Sequence, residues 1–394
     1  MFNLHPVTAR LLSTALCALL ALVSCSTGSI TGGLPAGPLK IGLLTSLTGI
    51  DLPLGADVRL GAQLAVDEAN GGGGIAGHQV RLLVADDRSE TGLAGPAFSG
   101  LATAGAIGVV GPLAAAAEQA IAPLAAIKRL PVLSTSGADP VTLSGGRLAD
   151  NRFLAVPAAS RAAERMLAYA KSASIAEVAV AHPTSDAFAS FGTVTLVAEA
   201  ARYGVRIVAD QPFEPATTDF KPVLDAIRAS GAKLLLAWGS GSAPPLLERA
   251  WKDSGLGIPI VLSIASCSTA FLRAVSDAGE GALVECSSSV LAAALPAGST
   301  VRRQVDPMAT AFQRRNGYYP TQAAFDGYAG ARLLLRAIGD AGSSDPSRVN
   351  AALSRLELAT ASGTFKFSSR DHLGLPSGWL AIATVKDGKL ALPG

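Results

Sequence analysis

Short apolar runs recur along this chain, each broken by Ser, Thr, Gly or Asp and followed by a stretch with helical periodicity. The first run, residues 41–44, ends at Thr45-Ser46 and Thr48-Gly49; Leu60, Leu64 and Ala65 then recur at helical spacing up to the polar tail Asp67-Glu68-Ala69-Asn70. Residues 71–74, all glycine, predict the stop, because glycine readily takes the left-handed conformation of a helix end. Residues 80–85, 107–110 and 131–133 read as further strands, closed by Asp86-Asp87-Arg88, Gly111-Pro112 and Ser134-Thr135-Ser136-Gly137. Strand, loop, helix, strand in this rhythm predicts an α/β fold with a parallel, doubly wound sheet. Such a sheet takes ligands in the crevice beyond the carboxyl ends of its strands, where these Ser/Thr/Gly loops gather.

After Pro140 the pattern restarts. Residues 153–157 read as a crossover. Helices follow at 158–171, 188–203, 220–230 and 244–254, interleaved with strands at 178–181, 206–209, 233–238 and 258–262. Gly204 and Gly231 stand where helix stops belong, and Asp219 where a carboxylate can cap the next helix. From about Ser288 the chain returns toward the first unit, with amphipathic helices at 304–316 and 324–338 joined by Gly317-Tyr318-Tyr319-Pro320. Phe365-Lys366-Phe367, residues 379–385 and the turn 386–389 read as closing strands of the second unit. No internal repeat is present beyond the βα rhythm itself.

Several of these segments carry a family signature: Ile41-Gly42, Thr48-Gly49, Gly55, Gly61, residues 64–70, Gly73-Gly74-Ile75-Ala76-Gly77, Asp86-Asp87, Val109-Val110-Gly111-Pro112 and residues 131–140. Together they resemble the type I periplasmic solute-binding proteins of the branched-chain amino acid kind, which feed ABC transporters. The likeness extends to the C-terminus. It implies two doubly wound parallel-sheet lobes joined by a three-crossover hinge that closes on a ligand. Laid on the breaks above, it divides the chain into residues 39–156 plus 289–358 as one lobe and 157–288 plus 359–394 as the other.

Composition narrows the picture. A chain of 394 residues, 49% apolar and 16% charged, has material for two cores and is not disordered. A net charge of +2 offers no broad basic field, so nucleic acid is not an expected partner. Residues 1–25 read as a targeting segment: Arg10, then an apolar run over 11–23 that falls short of the about 20 residues a membrane span needs. It ends in Leu22-Val23-Ser24-Cys25, similar to a bacterial lipobox, which implies cleavage before Cys25 and a lipid on its thiol that anchors the protein to a membrane of the cell envelope. Residues 26–38, rich in Ser, Gly, Thr and Pro, would be a flexible tether. Export puts Cys267 and Cys286 in an oxidising compartment; each follows an apolar run, and either a disulfide or two buried thiols fits.

Catalytic signatures are missing. Gly239-Ser240-Gly241-Ser242 has the wrong spacing for a nucleophile elbow, the glycines at 71–77 end a helix rather than open one, and the four histidines have no metal-ligand spacing. No enzyme, cofactor or metal is expected, and Asp86-Asp87 reads as a solvated loop end. A binding cleft is the stronger reading, and departures from the family carry it. The hydroxyls with which amino-acid binders hold a ligand carboxylate fall on Ala115 and Ala138. The acid that pairs with the ligand ammonium should follow residues 258–262, where only Ser263-Ile264-Ala265-Ser266-Cys267-Ser268 is found. Tyrosines of the family pocket fall on Leu54, Phe188 and Trp238. An ammonium left unpaired in a dry cleft loses several kcal/mol of hydration. The expected ligand is therefore an aromatic or apolar acid or amide, not a zwitterion. The amides at the helix start by Ala114 and Ala115, the Ser136-Gly137-Ala138 loop, Ser240 and Ser266 would hold its polar end, with an ABC permease as protein partner. The rival reading is a lipoprotein of the same fold that senses a ligand or regulates a cell-wall enzyme without transport.

Overall fold

The computed structural model describes residues 33–392, so the targeting segment, Cys25 and the tether up to residue 32 lie outside the described residues. Two sheets organise the chain. The first runs Val80–Asp86, Leu39–Thr45, Val109–Val110, Val132–Ser134 and Arg152–Leu154 in spatial order, all neighbours parallel. Its two faces carry separate cores. Ile41 and Leu43 pack with the helices Leu52–Gly71, Thr300–Asn316 and Gln322–Ala341, while Leu44 and Val109 pack with Thr91–Thr103 and Ala115–Lys128. Buried on both sides, the strands read as near-continuous apolar runs.

The second sheet has seven strands in the order Lys389–Ala391, Leu380–Lys386, Leu283–Ser287, Ile260–Leu262, Leu234–Ala237, Glu177–Pro183, Arg206–Phe213, with the first two antiparallel. Leu235, Ala237 and Leu262 face a core with the helices Lys221–Ser230, Ala243–Asp253 and Thr269–Val275. Leu236, Trp238 and Val261 face the opposite one, with Ala159–Ser172 and Ala187–Glu199. The chain crosses between the sheets three times: just after Leu154, around Leu291 and Ala292, and at Ser377–Trp379. This is the two-lobed α/β architecture expected.

Four details differ from the sequence reading. Phe153, assigned to the first crossover, lies inside the fifth strand of the first sheet, so the crossing begins one residue past Leu154. Phe365 and Phe367, assigned to closing strands of the second lobe, instead sit in the first core, carried there by a hairpin of Glu357–Thr360 and Gly363–Lys366. Alternation alone could not tell which core takes their rings. Leu34, inside the expected tether, packs against the first core, and the Gly33 carbonyl accepts from the Ser344 amide at 3.4 Å. The helix Thr91–Thr103 is not evident in the sequence because Gly92, Gly95, Pro96 and Gly100 dilute its helical signal; Ala94, Phe98 and Leu101 hold its buried face.

Candidate functional site

The parallel strands of both sheets direct their carboxyl ends toward the crossings, and the loops there supply the candidate site. In the first lobe, Asp86 and Asp87 brace the loop after Leu39–Thr45 rather than standing free in solvent. Asp86 accepts from the Leu47 amide at 2.7 Å and the Thr48 hydroxyl at 2.8 Å, and Asp87 from the Ser46 hydroxyl at 2.6 Å. Desolvation opposes ionisation of Asp86, but the Leu47 and Arg88 amides and the Thr48 hydroxyl outweigh it and hold its carboxyl below the usual range. The next loop turns at Gly111, whose φ is +91° and where a Cβ would lie 1.9 Å from the Leu44 carbonyl, so only glycine fits. The Thr135 hydroxyl donates to the Pro112 carbonyl at 3.0 Å and ties this loop to the one after Val132–Ser134.

Ala114 begins the Ala115–Lys128 helix and caps it with no side chain. Its first-turn amides thus present a partial positive charge to the loop region. A carboxylate in that turn, Glu118, would oppose an anion there. Burial pushes its pKa up to about 8, with the Ser134 hydroxyl and the Arg152 guanidinium pulling the other way, so it is neutral at pH 7.

In the second lobe, Phe188 is half-buried and packs on Trp238 with ring centroids 5.3 Å apart. Trp238 is only 1% exposed: the indole lies over Gly192, where a Cβ would come within 2.3 Å of the ring. The residue expected on the cleft wall is thus largely swallowed by the lobe, and its Nε1–H finds no partner among the described residues. Ser240 is exposed and donates to Asp186 at 2.8 Å, while the other Asp186 oxygen caps the Ala187–Glu199 helix at the Ala189 amide, 2.9 Å away. Leu54 lies in the first turn of Leu52–Gly71, 49% exposed.

The lobes meet where the sequence placed the ligand loop. A Cβ on Gly137 would lie 3.1 Å from the Pro157 carbonyl and 3.5 Å from the Phe188 ring. Ser136 shares a hydroxyl contact of 3.1 Å with Ser134, and Ala138 is buried beside Ala115 and Ala158. Asp139 accepts from the Ser160 amide at 3.0 Å across the first crossing. At the other crossings the Ser287 hydroxyl donates to Gln322, which donates in turn to Asp326 at 2.6 Å; the Trp379 indole donates to Ser289 at 3.1 Å. Gly137, Ala138, Phe188 and Trp238 are therefore brought into one neighbourhood. Ser240 is turned to Asp186.

Cys267 and Cys286 are joined in a disulfide, with Cα atoms 5.3 Å apart. It ties the loop Ser263–Ser268 to the strand Leu283–Ser287. Ser266 beside it is 2% exposed, and its hydroxyl has no partner among the described residues. Sequence reasoning missed Glu285. No acid follows Ile260–Leu262 in the sequence, but one strand over, fully buried, stands this carboxyl. Burial drives its pKa well above the ordinary range, against the Ile264 amide and the Arg165 charge. The signal was available: an acid in the middle of the apolar run Leu283-Val284-Glu285-Cys286 is costly to bury and rarely incidental. Among the described residues no His, Cys, Asp and Glu group is arranged to hold a metal ion.

A family model described as periplasmic binding protein matches residues 38–389. The chain is 24% identical over 356 residues to Leu/Ile/Val-binding protein homolog 3 of Brucella melitensis biotype 1, covering 89% of this chain and 92% of that one. Among solved structures, the branched-chain amino acid transporter substrate binding protein LivJ from Streptococcus pneumoniae, in complex with isoleucine, superposes with a TM-score of 0.74 at 21% identity, covering 90% of this chain and 97% of that one. A solute binding protein of an ABC transporter from R. palustris, in complex with benzoate, superposes with a TM-score of 0.71 at 19% identity, covering 91% and 96%. These likenesses establish a common fold.

Proposed function

This chain belongs to the periplasmic binding proteins, of the type I, branched-chain amino acid-binding kind, and from that premise we propose that it captures an aromatic or apolar acid or amide for an ABC permease. Closure of the two lobes about their three crossings would trap the ligand and shape the surface the permease meets. Lipidation at Cys25 would hold the protein at a membrane outside the cytoplasm. One observation carries the ligand class: the acids at these loops are already committed. Asp86, Asp87, Asp139 and Asp186 accept hydrogen bonds from neighbouring amides and hydroxyls, and desolvation lifts the Glu285 carboxyl well above the ordinary carboxylate range. An ammonium group would have to compete with those donors for a counter-ion, at a cost in affinity. The uncapped helix start at Ala114 favours an anion or an oxygen acceptor instead. A relative named for leucine, isoleucine and valine and a neighbour bound to benzoate mark the two alternatives.

A thermal-shift and calorimetric titration decides between them. Benzoate, isovalerate or their amides should raise the unfolding temperature, since a ligand present at a hundred times its Kd stabilises by about 2.7 kcal/mol. L-leucine and L-isoleucine should not. Binding of either amino acid at micromolar concentration overturns the proposed ligand class and leaves the family assignment intact.

A further inference from the structure

The end of the second sheet holds a row of polar groups that the function above has not used. Ala237, Leu262 and Val284 are paired across three adjacent parallel strands. One residue further on stand Trp238, Ser263 and Glu285, spaced by the roughly 4.8 Å between neighbouring strands. Alternation puts all three on one face. Leu236, Val261 and Leu283 pack with the Ala159–Ser172 and Ala187–Glu199 helices, as does Trp238, so Ser263 and Glu285 point the same way. Each is at least 99% buried; among the described residues the Trp238 Nε1 and the Ser263 hydroxyl find no hydrogen-bond partner, and the Glu285 carboxyl has only the Ile264 amide beside it. Ser266, 2% exposed and unpartnered, follows on the same loop. A buried polar group without a hydrogen bond costs about 1–3 kcal/mol, so a cluster of four is not explained by packing.

We propose that Glu285 acts as an un-ionised acid which, with Ser263, Ser266 and the Trp238 indole N–H, donates hydrogen bonds to the oxygen head group, carboxylate or carboxamide, of the bound ligand. This rests on the ligand class proposed above and names the residues that select it. A protonated carboxyl keeps one donor and can face an oxyanion, which an ionised one cannot. The charged group facing it is Arg165, from the Ala159–Ser172 helix, while the adjoining strand sets the apolar Ile382 opposite it. Arg165 also favours an anionic guest. The disulfide holds both halves of the row, since Cys267 follows Ser266 and Cys286 follows Glu285.

The test is calorimetric titration of the full chain with benzoate, isovalerate and L-isoleucine, for wild type, Glu285→Gln, Glu285→Ala and the pair Ser263→Ala/Ser266→Ala, each checked for folding by circular dichroism. Wild type should bind an acid. Glu285→Gln, a neutral donor of the same shape, should keep that affinity within a few-fold. Glu285→Ala and the serine pair should each lose about tenfold or more, the worth of one or two hydrogen bonds. If acids bind wild type and all variants alike, this assignment fails while the ligand class stands. If isoleucine binds instead and Glu285→Gln abolishes it, Glu285 is an ionised counter-ion and both readings fall. Wild type that binds none of the three also ends both.

Discussion

Gly192 decides where Trp238 goes. Any Cβ at this position would approach the indole to 2.3 Å, well inside contact distance, so either the ring or the helix Ala187–Glu199 must move. Gly192→Ala should therefore destabilise the second lobe by roughly 1–3 kcal/mol, the usual cost of overpacking, even though alanine is the better helix former. It should also shift tryptophan emission to the red as Trp238 meets water. Urea denaturation with fluorescence detection reads both; an unchanged midpoint and spectrum would mean the pocket for the ring is looser than it looks. The same residue shows the limit of sequence at this scale. An aromatic at a strand end, beside a Gly-Ser loop, can be read from the sequence as a candidate for the cleft wall. That its ring turns inward cannot, because the space it fills is created by a glycine on a helix some forty-five residues earlier in the chain. Glu285 stands out in the sequence as an acid inside an apolar run, but which sheet face it takes and what it lies beside depend on strand register, which local pattern does not set.

Elements were easier to read than their partners. Parallel strands buried on both faces announce themselves as apolar runs closed by turn residues, and most of the helices between them carry glycine stops. Where the signal failed, a physical cause is at hand. Thr91–Thr103 forms on three buried side chains despite its glycines and proline, and the Phe365 hairpin is claimed by the first core through long-range packing. One long-range link was left open by the sequence and is present in the structure, the Cys267–Cys286 disulfide with a separation of 19 residues. Closing a loop of that length restricts the unfolded chain, a contribution of roughly 3 kcal/mol. Reduction, or the Cys267→Ser/Cys286→Ser double substitution, should lower the second lobe's stability by about that amount. Acid binding should weaken with it, since both cysteines adjoin the polar row. Thermal melts with and without dithiothreitol, on wild type and on the double variant, check this; a wild-type midpoint indifferent to reductant contradicts it.

At the scale of the whole molecule, the buried acids set the response to pH. Burial raises Glu118 to about 8 and Glu248 to about 7, and lifts Glu285 and Asp326 well above their ordinary values. These groups are distributed over both lobes, so the effect is global. Each stays protonated in the fold while the unfolded chain would release the proton above its normal pKa near 4. Between those two values the folded state binds more protons, so stability is full below about pH 4 and is lost as pH rises toward the folded pKa, by up to about 1.4 kcal/mol per unit per group. Asp86 runs the opposite way but acts only in acid, and His372, lowered chiefly by burial, opposes the trend only below its ordinary value of about 6.5. The protein should therefore melt at a higher temperature at pH 6 than at pH 8, the reverse of an acid-sensitive fold. Because other groups contribute, the sharp test is a difference. Glu118→Gln removes one titration from the folded state and keeps the side-chain volume. Relative to wild type it should gain on the order of 3 kcal/mol between pH 5 and pH 8. Added salt should change that gain little, since the group is sealed from solvent. A wild-type minus variant difference that stays flat across this range would show Glu118 to be ionised in the fold, and with it the Ala115–Lys128 helix start would no longer favour an anion.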